Sequence, residues 1–315
     1  MSLSIVIPLY NEARHIERTL MAVAQAASRA KLQPEILVVD NGSSDSGPAL
    51  AQALGAQVLD GRGLTIAGVR NLGARQARHA ELAFLDADIE VPPDWLLIWQ
   101  RERAAGADAF TLDCLAPSVA PWYARAWQRR SLGSARRRWR AWLPTPALCL
   151  SRAWFERVGG FDEQLNTGED KDLGLRLHTL GAKQLAIPEP VVWHWGYEAS
   201  WREWLGKELW RQSGHLAGQR ASLGLWRFSL LCLFAAGCSL LALIGLLLGS
   251  PLALAGGLSG VLLLPLALAL RQTLRQGQLL LVLQLWLLHG IRLHLGAAAA
   301  LLQLFNLRIG RPRRG

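Results

Sequence analysis

Residues 35–45 read EILVVDNGSSD and place a short apolar run, an acidic side chain and a turn in direct succession. The Ile, Leu and Val residues predict a buried strand that ends in Asp40. The Asn-Gly-Ser composition of residues 41–45 is typical of a turn that leads into a helix. The stretch therefore predicts a strand–turn–helix unit with a carboxylate at the carboxyl end of its strand.

The same pattern recurs on both sides of this unit. Apolar runs predict strands at residues 4–8, 56–59 and 82–85, and periodic apolar positions predict helices at residues 12–30 and 65–78. Strands that alternate with helices form right-handed crossovers and a mostly parallel sheet with helices on both faces. We therefore expect an α/β, Rossmann-like fold.

Polar side chains follow three of these strands. Tyr10, Asp40 and Asp86 each lie at the carboxyl end of a predicted strand, where open α/β sheets bind their ligands. The run LAFLDAD at residues 82–88 closes with two carboxylates, which are preferred ligands of divalent cations. The sequence thus predicts a ligand site along one edge of the sheet.

The remainder of this domain is predicted to contain shorter elements. Pro188 and Pro190 divide its last apolar stretch into two parts. We expect residues 1–215 to form one domain, with strands at residues 110–115, 147–150, 186–187 and 191–193 and helices at residues 153–158, 171–180 and 201–212.

An apolar region follows. From residue 228 to residue 270 the only interruptions are Gly, Ser, Cys and Pro, and one membrane crossing needs about 20 apolar residues. We expect α-helical spans at about residues 228–248 and 252–270. A tight turn would join them into a hairpin within a membrane region of residues 216–315.

The last apolar stretch, residues 279–305, carries polar side chains on one face. It is either an amphipathic helix at the membrane surface or a third membrane helix. Basic residues mark the cytoplasmic side of a membrane protein, and two spans place the basic residues beyond the hairpin on the side of residues 1–215. We therefore favour two spans, with that domain on the cytoplasmic side of the inner (plasma) membrane. The basic residues are Arg271, Arg275, Arg308, Arg311, Arg313 and Arg314.

Charge and tryptophan are unevenly distributed along the chain. Its formal net charge of +10 suits nucleic acid or an anionic membrane surface, and the apolar region favours membrane lipids over nucleic acid. Residues 117–143 contain seven Arg and four Trp but no acid. Since Trp favours the headgroup zone, we expect this segment to lie against the membrane, although about half of all the Trp residues should be core residues.

Two further features bear on the compartment. The four Cys show neither metal nor disulfide spacing, which predicts packing roles in a reducing compartment. A strand pattern begins at Leu3 without a charged or apolar leader, so no signal peptide is expected.

At this point the chain resembles the family 2 glycosyltransferases of GT-A fold, over about residues 3–200. The resemblance implies an inverting transfer from a nucleoside-diphosphate sugar, UDP- or GDP-linked, with Mn²⁺ or Mg²⁺ as cofactor. It rests on six motifs in order: IPLYNE at 7–12, VVDNGSSD at 38–45, RNLG at 70–73, DAD at 86–88, GGFD at 159–162 and ED at 169–170.

The resemblance also implies a nucleotide-sugar site. Asp40 would accept a hydrogen bond from the nucleobase, although an acid at this place can also cap a helix. Glu12 or Asp86 would bind the ribose. Pro8 and Tyr10 would line the nucleoside pocket. Arg70 would add to the diphosphate clamp, unless it is a solvated residue of a helix surface.

The metal would be held by Asp88, because Mg²⁺ and Mn²⁺ prefer oxygen ligands. His194 lies in the sequence VVWHW at residues 191–195. By resemblance it is a candidate second ligand, and the alternative is that its ring is simply packed between the neighbouring Trp residues.

Asp170 is the proposed general base, because a sugar hydroxyl must lose its proton as the new bond forms. Glu169 would orient the acceptor or raise the pKa of Asp170 through like-charge proximity, and Gly160 would also contribute to acceptor binding. The alternative is that both carboxylates only stabilise the start of a helix.

Two departures from relatives narrow the function. The Gln-x-x-Arg-Trp motif of processive polysaccharide synthases is not matched by LWRQ at residues 209–212, so we expect non-processive transfer. Enzymes that glycosylate a polyprenyl phosphate attack with an anionic acceptor and have less need of a base. The Glu-Asp pair therefore favours a hydroxyl of a lipid-linked or membrane-proximal saccharide. Polyprenyl phosphate is the alternative acceptor, and a non-catalytic membrane scaffold with a decayed nucleotide site is the alternative of another class.

Overall fold

The computed structural model describes residues 2–130, 137–165, 167–213, 223–273 and 278–305. The chain divides into two compact units. The first unit contains Met1–Pro117 and Ala135–Tyr197, and the second contains Ser118–Ser134 and Glu198–Gly315.

The first unit opens with the predicted alternation of strands and helices. Four strands pair in parallel in the order β3-β2-β1-β4, so the parallel sheet expected for this part is confirmed. The elements are β1 (Leu3–Leu9), α1 (Ile16–Ala30), β2 (Glu35–Asp40), α2 (Gly47–Ala53), β3 (Gln57–Asp60), α3 (Ile66–Gln76) and β4 (Glu81–Leu85).

The sheet then becomes mixed. Its full order is β3-β2-β1-β4-β8-β6-β9-β5, with β7 on β9. Strand β8 pairs antiparallel with both β4 and β6, while β6 and β9 are parallel. The elements are β5 (Ile89–Glu90), α4 (Trp95–Ala104), β6 (Ala109–Leu115), β7 (Arg138–Trp139), β8 (Ala147–Ser151), α6 (Arg152–Arg157), α7 (Glu169–Thr179) and β9 (Gln184–His194). Helix α5 (Trp122–Arg129) belongs to the second unit.

Strand β9 is continuous where the two prolines predicted a break. It pairs with β6 up to Ile187 and again from Val192, and the register shifts between these points. Pro188 and Pro190 therefore lie where no hydrogen bond to β6 is required, which is where a sheet tolerates proline.

Alternating residues of the central strand pack into two apolar cores. Leu3, Ile5, Ile7 and Leu9 of β1 are buried with α1 and α4 on one face. Val6 is buried with α3, α6 and α7 on the other. The two faces follow from the two-residue period of a strand, and both are fully covered.

Helix α3 approaches β1 closely because residue 73 is a glycine. A Cβ placed on Gly73 would lie 2.3 Å from Cγ1 of Val6 and 3.1 Å from Cγ2 of Val39. This contact sets the distance between α3 and the sheet, and hence the position of other α3 side chains.

The second unit is helical. Besides α5 it contains α8 (Trp201–Ser213), α9 (Leu223–Leu247), α10 (Pro251–Thr273) and α11 (Leu279–Leu304). Within the described parts of the chain, three helices are long and apolar enough to cross a membrane, and these include α11. The number of spans, two or three, therefore stays a prediction, and Arg275 and the basic residues 308–314 lie outside the described residues.

The α9–α10 hairpin is closely packed. A Cβ on Gly257 would lie 2.3 Å from the backbone nitrogen of Ala242, and one on Gly245 would lie 2.3 Å from that of Leu254. Small residues allow membrane helices to approach in this way.

The basic segment at residues 117–143 does not form a single element. Helix α5 contributes to the second unit, whereas β7 is part of the sheet of the first. Arg137 forms an ion pair with buried Glu102, and Arg138 donates two hydrogen bonds to Asp113, at 2.7 and 2.6 Å. Arg136, which we grouped with this segment, lies outside the described residues.

We expect Gly73→Ala to destabilise the protein by about 1–3 kcal/mol, the usual cost of overpacking a core. Gly68→Ala in the same helix is the matched control, since its Cβ would meet no atom closer than 3.3 Å and alanine favours a helix interior. The midpoint of thermal unfolding in detergent solution measures both. Equal midpoints for the two variants would contradict the close contact.

Candidate active site

The loops that follow β1 and β2 meet at the carboxyl edge of the sheet. The parallel register places Leu9 opposite Asp40, so Tyr10, which is half exposed, follows beside this carboxylate. Asp40 accepts a hydrogen bond from the backbone N–H of Ser43 at 3.0 Å. Helix α2 has Ser46 as its N-cap residue, so Asp40 does not cap it.

Asn11 connects these two loops, and we did not single it out from the sequence. Its backbone is left-handed, with φ 55°, a conformation that Asn tolerates better than most residues. Its side-chain oxygen accepts a hydrogen bond from the backbone N–H of Ser44 at 2.8 Å, and its own N–H donates to Oγ of Ser43 at 3.0 Å. The sequence did indicate this role, because an Asn that follows a predicted strand is typical of a turn.

The two other predicted pocket residues take different positions. Pro8 is buried inside β1 opposite Val39, so its ring is part of the strand. Glu12 accepts hydrogen bonds at its backbone oxygen from the N–H groups of His15 and Ile16.

Arg70 is a buried ion-pair partner and not a solvated residue. Its side chain is 4% exposed, and it donates to Asp86 at 2.8 Å and to Glu169 at 2.6 Å. Burial by itself lowers the pKa of this guanidinium, but the two carboxylates raise it overall. Arg70 thus connects the end of β4 to the start of α7.

The next residue, Asn71, holds the Gly-Gly-Phe-Asp loop. Its amide accepts a hydrogen bond from the N–H of Phe161 and donates to the carbonyl of the same residue, both at 2.9 Å. Gly160 has φ +71°, and a Cβ there would lie 2.9 Å from Oδ1 of Asn71. The conformation and this close approach account for glycine at position 160.

Asp170 lies in the first turn of α7, next to the paired Glu169. Burial, followed by the charge of Glu169, raises the pKa of Asp170 to about 7. Its Oδ1 accepts a hydrogen bond from the backbone N–H of Lys171 at 2.7 Å, and the N-cap residue of α7 is Gly168. Asp172 of the same turn pairs with Arg176, so of the three carboxylates in this turn two are ion-paired and Asp170 is the one whose proton affinity is raised.

Asp88 and His194 meet through strand pairing. Strands β5 and β9 are antiparallel, with Ile89 opposite His194, and Oδ2 of Asp88 lies 3.3 Å from Nε2 of His194. The backbone on both sides is fixed, since the N–H of Trp195 donates to the carbonyl of Asp88 at 2.8 Å and Thr19 donates to that of Ala87 at 2.8 Å. Within the part of the chain that the structure describes, no three His, Cys, Asp or Glu side chains form a metal-binding group.

Comparison with known proteins agrees with this geometry. Residues 4–161 match the model of the family described as glycosyl transferase family 2. The chain belongs to this family. It contains a glycosyl transferase family 2 domain, and its first unit has the GT-A-like mixed sheet expected from the sequence.

Two curated relatives show the range of the family. Validoxylamine A glucosyltransferase of Streptomyces hygroscopicus subsp. jinggangensis is 29% identical, over 62% of this chain and 55% of that protein. An undecaprenyl-phosphate 4-deoxy-4-formamido-L-arabinose transferase of Pseudomonas fluorescens is 30% identical over 33% of each chain. The chain thus matches at most about half the length of the curated relatives.

A solved structure shares the fold. It is a mannosyltransferase from Pyrobaculum calidifontis, in complex with GDP-Man and Mn²⁺, with a TM-score of 0.59 and 17% identity over 97% of this chain and 88% of the other. At this level of identity the likeness concerns the fold alone.

The raised pKa of Asp170 predicts a pH-dependent effect of Asp170→Asn on stability. An ordinary Asp has a pKa near 4 when unfolded, so the folded protein holds the extra proton between about pH 4 and pH 7 and loses stability as pH rises through this window. Asn carries no charge. The unfolding midpoint of the variant, relative to wild type, should therefore rise from pH 5 to pH 8 in a thermal unfolding series. A difference that does not change with pH would contradict the raised pKa.

Proposed function

We propose that the protein transfers a sugar, with inversion, from a nucleoside-diphosphate sugar to a hydroxyl of a lipid-linked or membrane-proximal saccharide. The observation that carries this proposal is the pair of carboxylates at the start of α7. Glu169 is bound to Arg70, whereas the pKa of Asp170 is raised to about 7. Glu169 therefore suits a role in positioning the acceptor, and Asp170 suits a role in accepting the proton of its hydroxyl.

The donor would bind at the carboxyl edge of β1, β2 and β4. Asp40 would accept a hydrogen bond from the nucleobase, and Tyr10 is exposed enough to pack against it. Asp86 would bind the ribose with the oxygen that is not engaged by Arg70. The bonds of Asn11 hold these loops in place before the donor arrives, which lowers the entropy cost of binding.

A divalent cation fits the Asp88–His194 pair. One carboxylate and one imidazole, 3.3 Å apart, would hold the ion and leave the remaining positions to diphosphate oxygens and water. Mg²⁺ prefers oxygen ligands alone, whereas an imidazole is accepted more readily by a transition metal, so we favour Mn²⁺. When bound, the ion would neutralise charge on the departing diphosphate.

Asp170 would act on the acceptor. A carboxylate with a pKa near 7 is a stronger base than an ordinary one and is still largely deprotonated just above neutral pH. It would accept the hydroxyl proton as the new glycosidic bond forms and the bond to the diphosphate breaks. Arg70 would orient Glu169, and through it the first turn of α7, toward the acceptor.

The membrane region would hold the enzyme at its substrate. Three apolar helices indicate membrane association, and we favour α9 and α10 as spans with the first unit on the cytoplasmic side. Non-processive transfer follows from the missing synthase motif.

Polyprenyl phosphate is the second candidate acceptor, because a relative of that named activity matches a third of the chain. Its product would be a glycosyl phosphate. Loss of the transferred sugar from the lipid in mild acid would therefore favour this candidate, and an acid-stable product would favour a hydroxyl acceptor.

Asp170→Asn should lower the rate of sugar transfer by about 10²–10⁴-fold, the usual contribution of a positioned base, with nearly unchanged affinity for the nucleotide sugar. Transfer is measured with labelled donor, and affinity by calorimetry on the same preparation. Turnover at the wild-type rate would remove Asp170 from the mechanism.

Asp88→Ala should abolish the increase in UDP or GDP affinity that Mn²⁺ provides, whereas Asp40→Ala should weaken nucleotide binding with and without metal. Asp60→Ala is the control for the metal effect, since this carboxylate also ends a strand but pairs with exposed Arg62. Calorimetry with and without Mn²⁺ measures all three. A full metal enhancement in Asp88→Ala would show that the metal is held elsewhere.

A further inference from the structure

The second unit contains a cluster of charged side chains that the proposed transfer does not use. Glu208 of α8 is almost fully buried. It accepts hydrogen bonds from Arg292 of α11 at 2.8 Å, from Gln212 at 2.6 Å and from Arg211 at 3.4 Å. A buried carboxylate requires such partners, so the need to pair Glu208 accounts for the positions of the Arg292 and Arg211 side chains.

A second buried carboxylate lies beside the first. Glu198 is 3.0 Å from Arg211 and 3.3 Å from Lys207. Arg211 thus bridges the two acids, and the cations named so far already outnumber the carboxylates by one.

Arg130 adds a further positive charge, which forms no direct ion pair but lies within electrostatic range of Glu208 and Glu198. Its guanidinium lies over the ring of Trp127, 3.8 Å from the centroid, and donates to the carbonyl of the same residue. Every Asp and Glu of the sequence falls within the described residues, and none forms an ion pair with Arg130 within 4.0 Å. Burial and the nearby charge of Arg292 lower the pKa of Arg130 to about 9.

Aromatic rings surround these charges. Trp127 packs edge-on against Trp204, which packs against Trp201, and Trp201 contacts Tyr123 at 4.3 Å between ring centroids. Trp127, Trp204 and Tyr123 are buried, whereas Trp201 is exposed, and an exposed indole favours the headgroup depth of a bilayer. Helix α11, which carries Arg292 and packs with α5 and α8, also packs with the apolar helices α9 and α10.

We propose that Arg130, Lys207, Arg211 and Arg292 form a cationic pocket that binds the phosphate or diphosphate headgroup of a lipid. These four cations exceed the carboxylates of Glu198 and Glu208 by two charges, and this excess matches a phosphate group better than a carboxylate. The planar fork of a guanidinium binds phosphate oxygens in pairs, and the exposed ring of Trp201 suits the adjoining hydrocarbon.

A pocket of this kind favours, among the possible acceptors, a saccharide that is linked to a lipid through phosphate. A saccharide linked to a lipid through phosphate would be held at its phosphate by the second unit, and its sugar hydroxyl would be the group that reacts. The binding of a lipid phosphate is independent of catalysis, whereas its assignment as the acceptor rests on the proposed function.

The simplest alternative is that the cluster only balances its own buried acids. On this alternative Arg130 would only stack on Trp127 and add to the positive charge around Glu208, and it would bind no phosphate. Arg130 is also the residue to change, because its removal leaves no buried carboxylate without a partner.

The experiment uses the full chain in maltoside micelles with dodecyl phosphate as the probe. We expect saturable binding to wild type, binding at least about tenfold weaker to Arg130→Gln, and an intermediate affinity for Arg130→Lys, which keeps the charge but loses the fork. Arg125→Gln is the matched control, since Arg125 is an exposed residue of α5, whose C-cap residue is Arg130, and its loss should change affinity less than twofold.

Three results would overturn the proposal. The first is an equal affinity of wild type and Arg130→Gln for dodecyl phosphate. The second is binding of dodecanol as tight as that of dodecyl phosphate. The third is displacement of the probe by inorganic phosphate at the same concentration, which would indicate a site for free phosphate. Donor hydrolysis measured on the same preparations separates the two proposals. Its retention in Arg130→Gln supports a role in lipid binding alone, and its absence from wild type would count against the proposed transfer and not against the pocket.

Discussion

The first unit depends on one buried cation and the two carboxylates that it holds. Arg70 comes from α3, Asp86 from the end of β4 and Glu169 from the start of α7. Removing one member of a buried ion pair typically costs about 3–5 kcal/mol, because the remaining charge stays buried. The guanidinium therefore fixes three segments that are distant in sequence, and it places Asp170 directly after an ion-paired neighbour whose charge still raises the pKa of Asp170.

The surrounding contacts extend this arrangement to the loop before α7. Asn71 follows Arg70 on the same helix and binds both the backbone N–H and the backbone carbonyl of Phe161. Arg176 of α7 donates to the carbonyls of Val158 and Gly160. Neighbouring residues of α3 thus hold both the loop and the helix, and the distance of α3 from the sheet depends on a glycine.

The sequence predicts the parts of this site that follow from local pattern. Asp40, Asp86 and Asp88 are recognisable because each ends or follows an apolar run, and the edge of a parallel sheet brings such ends together. The burial of Arg70 could not be predicted, since its partners lie 16 and 99 residues away. The division of residues 117–143 was missed for a similar reason. An Arg- and Trp-rich composition is the same whether a side chain faces lipid or, like Arg138, binds a distant carboxylate.

The pairing of β5 with β9 makes the alignment of two strands a condition for cation affinity. His194 comes from the end of the last strand and Asp88 from the turn before β5, and they meet only because Ile89 lies opposite His194. A slip of one residue would turn the imidazole to the other face of the sheet. A cation bound by both side chains would therefore stabilise the native register of the last strand. The affinity of the protein for this cation would depend on whether the strand has reached its native register. Cation binding and the final step of sheet assembly are therefore thermodynamically linked.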